Sequence, residues 1–234
     1  MEKTIGFFNV SQSFINDDLN YKNYNKIIFK GDGGILTKIE HIYKEKYSYT
    51  HKKEADYLSS FIKDIVKNDL NNTLIVDGTT SLGGNLKSFI YHFKNIIGIE
   101  INQIRFNKLL HLLNLKFKYV FSKNKENIFS YKTNKKNIIL INDSFNKYIE
   151  NICKHNMKNI IIYLDPPWGG KNYKEYNNII LGLAGFPLHL LVENIKKINK
   201  DTYIILKLPL NYYLESFTNI KEIKNMEKFY YIFL

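Results

Sequence analysis

Five short runs in this sequence are apolar along nearly their whole length. They are Thr73–Asp77 (TLIVD), Asn95–Glu100 (NIIGIE), Asn137–Asn142 (NIILIN), Asn159–Asp165 (NIIIYLD) and Thr202–Leu208 (TYIILKL), all rich in β-branched residues. A strand with one wet face alternates apolar and polar residues, whereas a continuous apolar run suits a strand covered on both faces, as in a parallel sheet. Helical patterns stand between the runs at Gly84–Lys94, Asn102–Asn114, Phe145–Lys154 and Pro187–Asn199. A further helix, His51–Lys67, precedes the first run, with apolar residues at 55, 58, 61, 62, 65 and 66 on one face. Two last strands, Asn219–Lys224 and Lys228–Leu234, close the chain. Such alternation implies right-handed crossovers. The expected fold is α/β and Rossmann-like: a mostly parallel seven-stranded sheet, an antiparallel C-terminal strand, and helices on both faces.

Charge constrains the partners less than it first suggests. The 34 basic residues outnumber the 22 acidic ones, for a net charge of +12, but Arg105 is the only arginine. One reading is attraction to a polyanion. The other is a solvated lysine surface left by an AT-rich genome, which also favours Asn, Ile, Tyr and Phe. Both stay open. The single cysteine, Cys153, excludes a disulfide framework and a cysteine-based zinc site, and is expected to be a buried, inert thiol. No apolar stretch approaches a membrane span, and the opening Met1-Glu-Lys-Thr-Ile-Gly lacks a signal-peptide layout. An intracellular protein, cytoplasmic or nuclear and monomeric, is expected, with no membrane contact. Residues 1–50, with a turn at Lys30–Gly34, form a short N-terminal extension, and 51–234 form the main domain. Ser122–Asn137 reads as an exposed connection or a ragged helix end.

Four strand ends carry candidate chemistry. Asp77-Gly-Thr-Thr-Ser-Leu-Gly-Gly-Asn85 follows the first run, where ligands bind in such sheets. It is neither a dinucleotide fingerprint nor a P-loop. It is a ligand cradle or a tight connection. Glu100, 23 residues beyond Asp77, suits the hydroxyls of a ribose or the N-terminus of the next helix. Asp143 suits an adenine amino group or a helix cap. Asp165-Pro-Pro-Trp-Gly-Gly170 is the most informative. Two prolines fix the backbone, so the Asp165 carboxylate and the Pro166 carbonyl can accept both hydrogens of a planar amino group. Trp168 offers a stacking face, best for a positively charged ring. Otherwise the loop is rigid and its tryptophan packs in the core. Tyr173 and Tyr176 are a second aromatic wall or surface packing. His111 and His189 read as packed histidines.

In this order, these motifs resemble a class I S-adenosylmethionine-dependent methyltransferase, and Pro166-Pro-Trp-Gly-Gly170 followed by Tyr173 resembles the trimethylguanosine synthase family. The family's first motif, Asp-x-Phe-Cys-Gly-x-Gly-Gly-Asn, is matched by Asp77 and Gly83-Gly84-Asn85, with Ser81 in place of a glycine. Thr50 stands where the family has Thr-Pro, and His51 replaces that proline. The family often has Ser at the position of Asp165. The compact length and Lys207-Leu-Pro209 resemble versions from large DNA viruses.

The resemblance implies methyl transfer from S-adenosylmethionine to the 2-amino group of a 7-methylguanosine RNA cap, leaving S-adenosylhomocysteine and needing no metal. It assigns the cofactor to Asp77, Gly78, Thr79, Gly83, Asn85, Glu100, Asp143, Asp165 and Thr50. The transfer falls to Asp165, Pro166 and Trp168. Capped RNA falls to Trp168, Lys26, Lys30, Lys171 and Tyr173. The alternatives are an amino-methyltransferase acting on adenine or guanine within DNA, tRNA or rRNA, and a non-catalytic RNA-binding subunit on the same fold.

Overall fold

The computed structural model describes residues 5–8, 49–169 and 172–234. Within them the five apolar runs form the parallel centre of a sheet: β2 (Thr73–Asp77), β3 (Asn95–Ile99), β6 (Asn137–Ile141), β7 (Asn159–Leu164) and β10 (Tyr203–Pro209). With β11 (Glu222–Asn225) and β12 (Phe229–Phe233), the seven expected strands lie in the order β11-β12-β10-β7-β2-β3-β6, and β12 runs antiparallel to β10.

Both faces are covered, as the missing alternation demands. Along β7, Ile160, Ile162 and Leu164 face one core while Ile161 and Tyr163 face the other. The first core is closed by α4 (Ile149–Cys153) and α5 (Leu188–Ile198). The second is closed by α1 (Lys52–Ile65), α2 (Gly84–His92) and α3 (Gln103–Phe117). The predicted apolar face of α1 buries Ala55, Leu58 and Ile62, and Val66 just beyond it, with Phe61 and Ile65 packed alongside. Cys153 is buried, which pushes its thiol pKa up.

Three expectations need correction. Ser122–Asn137 is not a loose connection but holds the hairpin β4 (Ser122–Lys125) and β5 (Ile128–Lys132), which extends the sheet to nine strands beyond β6. Its lysine and asparagine content hid the pattern because β4 is an exposed edge, where lysine blocks further pairing. Phe129 and Tyr131 nonetheless pack inward, Tyr131 stacking on Tyr119 at 4.0 Å. A second sheet, β1-β8-β9, was not anticipated. There β1 (Ile5–Phe8) runs parallel to β8 (Asn178–Leu183), and β8 turns into β9 (Phe186–Pro187) through Ala184 and Gly185, both at positive φ. Finally, His111 is exposed rather than packed. The turn at Lys30–Gly34 lies outside the described residues.

Candidate active site

The carboxyl ends of β2, β3, β6 and β7 point the same way, because these strands are mutually parallel. Asp77 closes β2 and is 1% exposed. Its Oδ1 accepts the Thr79 N–H at 3.2 Å. Burial pushes its pKa up to about 8; the Thr79 hydrogen bond opposes this, and the charges of Asp165 and Glu100 add to the rise. The turn that follows is pinned to β3, since Thr80 donates through both N–H and Oγ1 to the Ile99 carbonyl. A side chain at Gly78 would strike Leu164 at 2.5 Å, and one at Gly84 would meet the Thr50 backbone N at 2.7 Å. Ser81 adopts φ +48° and Gly83, which starts α2, φ +80°.

Glu100 is 5% exposed. Its Oε2 accepts the Ser81 N–H and its Oε1 the Asn102 N–H, each at 2.8 Å, with Arg105 Nη1 at 3.9 Å from Oε1. The cap of α3 is Asn102, whose Oδ1 accepts from the N–H groups of Ile104 and Arg105.

Asp143 follows β6. Its Oδ1 accepts from the Ser144 N–H at 2.8 Å and pairs with Lys147 at 2.7 Å, while Oδ2 accepts from Asn127 Nδ2 at 3.1 Å. Burial raises its pKa, but the Lys147 and Ser144 hydrogen bonds outweigh that and hold it below the usual carboxylate range. Asn127 comes from the β4–β5 turn and also donates to the Tyr148 hydroxyl.

Asp165 follows β7. Its N–H donates to Thr79 Oγ1 at 2.7 Å, joining the two loops. Its Oδ2 lies 3.2 Å from Nζ of Lys207, a buried residue of β10. Lys207 also donates to Thr50 Oγ1 at 3.1 Å and lies 4.7 Å from the centre of the Phe229 ring. Asn85 Nδ2 donates to Thr50 Oγ1 and to the Tyr163 hydroxyl, both at 2.8 Å. Thr50, Asn85, Tyr163, Asp165 and Lys207 thus form one inward-facing polar cluster. Burial raises the Asp165 pKa; the charge and hydrogen bond of Lys207 oppose this, Glu54 adds to it, and Tyr163 opposes it.

Beyond Asp165, Pro166 is buried, Pro167 exposed and Trp168 half-buried. Trp168 meets Tyr173 edge-on at 5.6 Å and 83°. Asn211 Nδ2 donates to the carbonyls of Tyr173 and Tyr176, fastening that segment beneath the tryptophan loop. Lys26, Lys30 and Lys171 lie outside the described residues.

Residues 72–232 match the family described as RNA cap guanine-N2 methyltransferase. The chain belongs to that family. The matched span of this RNA cap guanine-N2 methyltransferase domain opens one residue before β2 and ends inside β12, so all four strand ends lie within it. The chain is 27% identical over 160 residues to an uncharacterised protein, L320, of Acanthamoeba polyphaga mimivirus. That match covers 68% of this chain and 55% of the viral protein, so the chain spans little more than half of that relative's length. Among solved structures, a protein of Porphyromonas gingivalis W83 with a provisional methyltransferase assignment shares 17% identity and a TM-score of 0.57, covering 86% of this chain and 44% of its own. It shows the fold to be the Rossmann-like methyltransferase fold. Trm1 of Pyrococcus horikoshii, solved with S-adenosyl-L-methionine, aligns at 13% identity and TM-score 0.45, covering 79% of this chain and 55% of its own.

Two site residues of this family member escaped the sequence reading. Lys207 was signalled only by being a charge inside the run TYIILKL. Asn127 gave no signal, because its partner Asp143 is brought to it by a hairpin that was itself unrecognised.

Proposed function

We propose that this chain is an S-adenosylmethionine-dependent methyltransferase acting on the exocyclic 2-amino group of 7-methylguanosine in an RNA 5′ cap. The observation that carries the reading is the Asp165-Pro166-Pro167-Trp168 loop. It sits at the end of β7, its Asp anchored to both Thr79 and Lys207.

The residues present fit the methyl donor. Asp77, buried beside the charges of Glu100 and Asp165, suits a cation such as a sulfonium. Asn85 Oδ1 is buried without a hydrogen-bond partner among the described residues, an acceptor suited to an ammonium or amide donor. Glu100 would take the ribose diol and Asp143 the adenine. Gly78, Thr79, Gly83 and Thr50 would shape the cradle. When bound, S-adenosylmethionine supplies an electrophilic methyl group and leaves as S-adenosylhomocysteine.

Asp165 and the Pro166 carbonyl would accept the two N–H bonds of the amino group. The nitrogen lone pair is then held in one direction, so orientation is achieved before reaction. No strong base is required, because the nitrogen can shed its proton after the new bond has formed. Trp168, beside Tyr173, would stack on the 7-methylated ring, whose delocalised positive charge strengthens the contact. Lys26, Lys30 and Lys171 would neutralise the cap triphosphate. Residues 1–50 serve as the substrate-side extension of a monomeric, intracellular enzyme built on 51–234, and no metal takes part.

A second reading rests on Asp165 itself, which replaces the serine frequent in the trimethylguanosine synthase family. It allows an adenine or guanine amino group within DNA, tRNA or rRNA. One assay separates the two: transfer from labelled S-adenosylmethionine to 7-methylguanosine-capped and unmethylated guanosine-capped RNA, with Asp165→Ala and Trp168→Ala alongside. The cap reading expects transfer to the 7-methylated cap alone, loss in both variants, and competition by free 7-methylguanosine diphosphate. Cofactor binding without transfer to either cap shifts the assignment to an internal base.

A further inference from the structure

Lys207 is set in a strand whose adjacent residues, Leu206 and Leu208, are fully buried. Its own side chain is only 10% exposed. An ammonium there is unfavourable unless paired and hydrogen-bonded, and an apolar residue of similar volume would often stabilise such a fold as well or better. Stability alone therefore does not account for this lysine.

Its contacts suggest what does. Nζ reaches Asp165 Oδ2 at 3.2 Å, Thr50 Oγ1 at 3.1 Å and the Phe229 ring at 4.7 Å. Thr50 in turn accepts from Asn85 in the first turn of α2. Asp165 is thus tied to the cofactor-side turn by two routes, one through its backbone to Thr79 and one through Lys207 and Thr50. A carboxylate has about four acceptor sites, so a fixed Oδ2 leaves capacity for an incoming N–H.

We infer that Lys207 is a positioning residue of the transfer site, clamping Asp165 so that its carboxylate meets the substrate amino group as a fixed, anionic acceptor. This rests on the amino-group reading above. The groups facing Asp165 are Lys207 from β10, Asp77 from β2, Glu54 from α1, Tyr163 from β7 and Tyr231 from β12. Of these, Lys207 is the cation. Without it, burial and the acidic neighbours all favour protonation. A protonated carboxyl presents an O–H toward an amine that is itself a donor, and the contact is lost.

The test uses the full chain with Lys207→Met, Lys207→Arg, Asp165→Ser and the Asp165→Ser/Lys207→Met pair. The Asp165 carboxyl is titrated by carbon-13 NMR, assigned by difference from Asp165→Asn, and kcat and KM are followed from pH 6 to 9. In Lys207→Met the Asp165 midpoint should rise by at least about one pH unit, the usual effect of losing an adjacent opposite charge. At pH 7 kcat should fall at least about tenfold and recover as pH rises, with KM changed less than about threefold, since the carboxylate is restored by deprotonation. Arginine should preserve most of the rate. Once Asp165 is serine, removing Lys207 should cost no further activity, and this comparison serves if Lys207→Met alone does not fold. An unchanged Asp165 midpoint, or a kcat loss equal at every pH, overturns the proposal. Should the wild type fail to methylate capped RNA, it is the cap reading that fails, and the carboxyl titration still decides the role of Lys207.

Discussion

Glu100 Oε2 accepts the backbone N–H of Ser81 at 2.8 Å, so the end of β3 holds the middle of the turn that follows β2. The other oxygen takes the Asn102 N–H, and the remaining lone pairs are available to a diol. Glu100→Ala orphans both donors and deletes the diol acceptors. S-adenosylmethionine affinity should fall about 30-fold, equivalent to the ~2 kcal/mol typical of hydrogen bonds to a charged group. Titration calorimetry measures it, and an unchanged affinity removes Glu100 from the cofactor site.

Backbone geometry in the same turn makes a separate prediction. Ser81 sits at φ +48°, where a side chain costs about 1 kcal/mol and a β-branched one more. Ser81→Gly should match or exceed the wild type in melting temperature, and Ser81→Val should fall below it. Gly84→Ala should be worse than either, by about 1–3 kcal/mol, because its Cβ would meet backbone rather than a movable side chain. Melting curves rank the three, and a different order refutes this account of the turn.

Asp77 gives the pH dependence. Its folded pKa of about 8 lies above the ordinary 3.8. Between those values the folded chain holds a proton that the unfolded chain has released. Its contribution therefore makes stability fall as pH rises from about 4 to about 8, by at most ~1.4 kcal/mol per unit, and level off above. Asp77→Asn should abolish that part of the slope in denaturant melts. A cationic ligand favours the ionised carboxylate, so S-adenosylmethionine should bind more tightly as pH rises toward 8, by at most about tenfold per unit. S-adenosylhomocysteine, lacking the sulfonium charge, should change less. Equal pH dependence for the two ligands counts against a sulfonium beside Asp77.

Asn127 ties the β4–β5 hairpin to Asp143 at 3.1 Å. Asn127→Ala removes that donor and the one to Tyr148, while leaving the Ser144 and Lys147 contacts in place. Cofactor affinity should weaken about three- to tenfold, the scale of one net hydrogen bond, with little change in KM for RNA. Calorimetry and steady-state kinetics check it; a change in KM alone places the hairpin on the RNA side instead.

The central strands were legible because Thr73–Asp77 and its four counterparts are apolar on both faces, a pattern only a doubly covered strand requires. The amphipathic face of α1 was legible for the same reason. The hairpin at Ser122–Lys132 was not. An edge strand gains its pairing from β6 and shows solvent a row of Lys, Asn and Ser, which is also what a loop shows. β8 was missed because its partner β1 lies more than 160 residues earlier, and no local pattern encodes that pairing.

The division falls between composition along the chain and contact across it. The sequence by itself determined the α/β alternation, the parallel centre and the four strand ends bearing Asp77, Glu100, Asp143 and Asp165, because each depends on residues within a few positions of one another. Only the tertiary structure decided which groups set the behaviour of those carboxylates. Lys207 meets Asp165 from 42 residues away, Asn127 meets Asp143 across a hairpin turn, and Thr50 receives both Asn85 and Lys207. Charge and hydrogen bonding act through space over a few ångströms, and burial magnifies them, so their strength is fixed only when the fold brings distant residues together and excludes water.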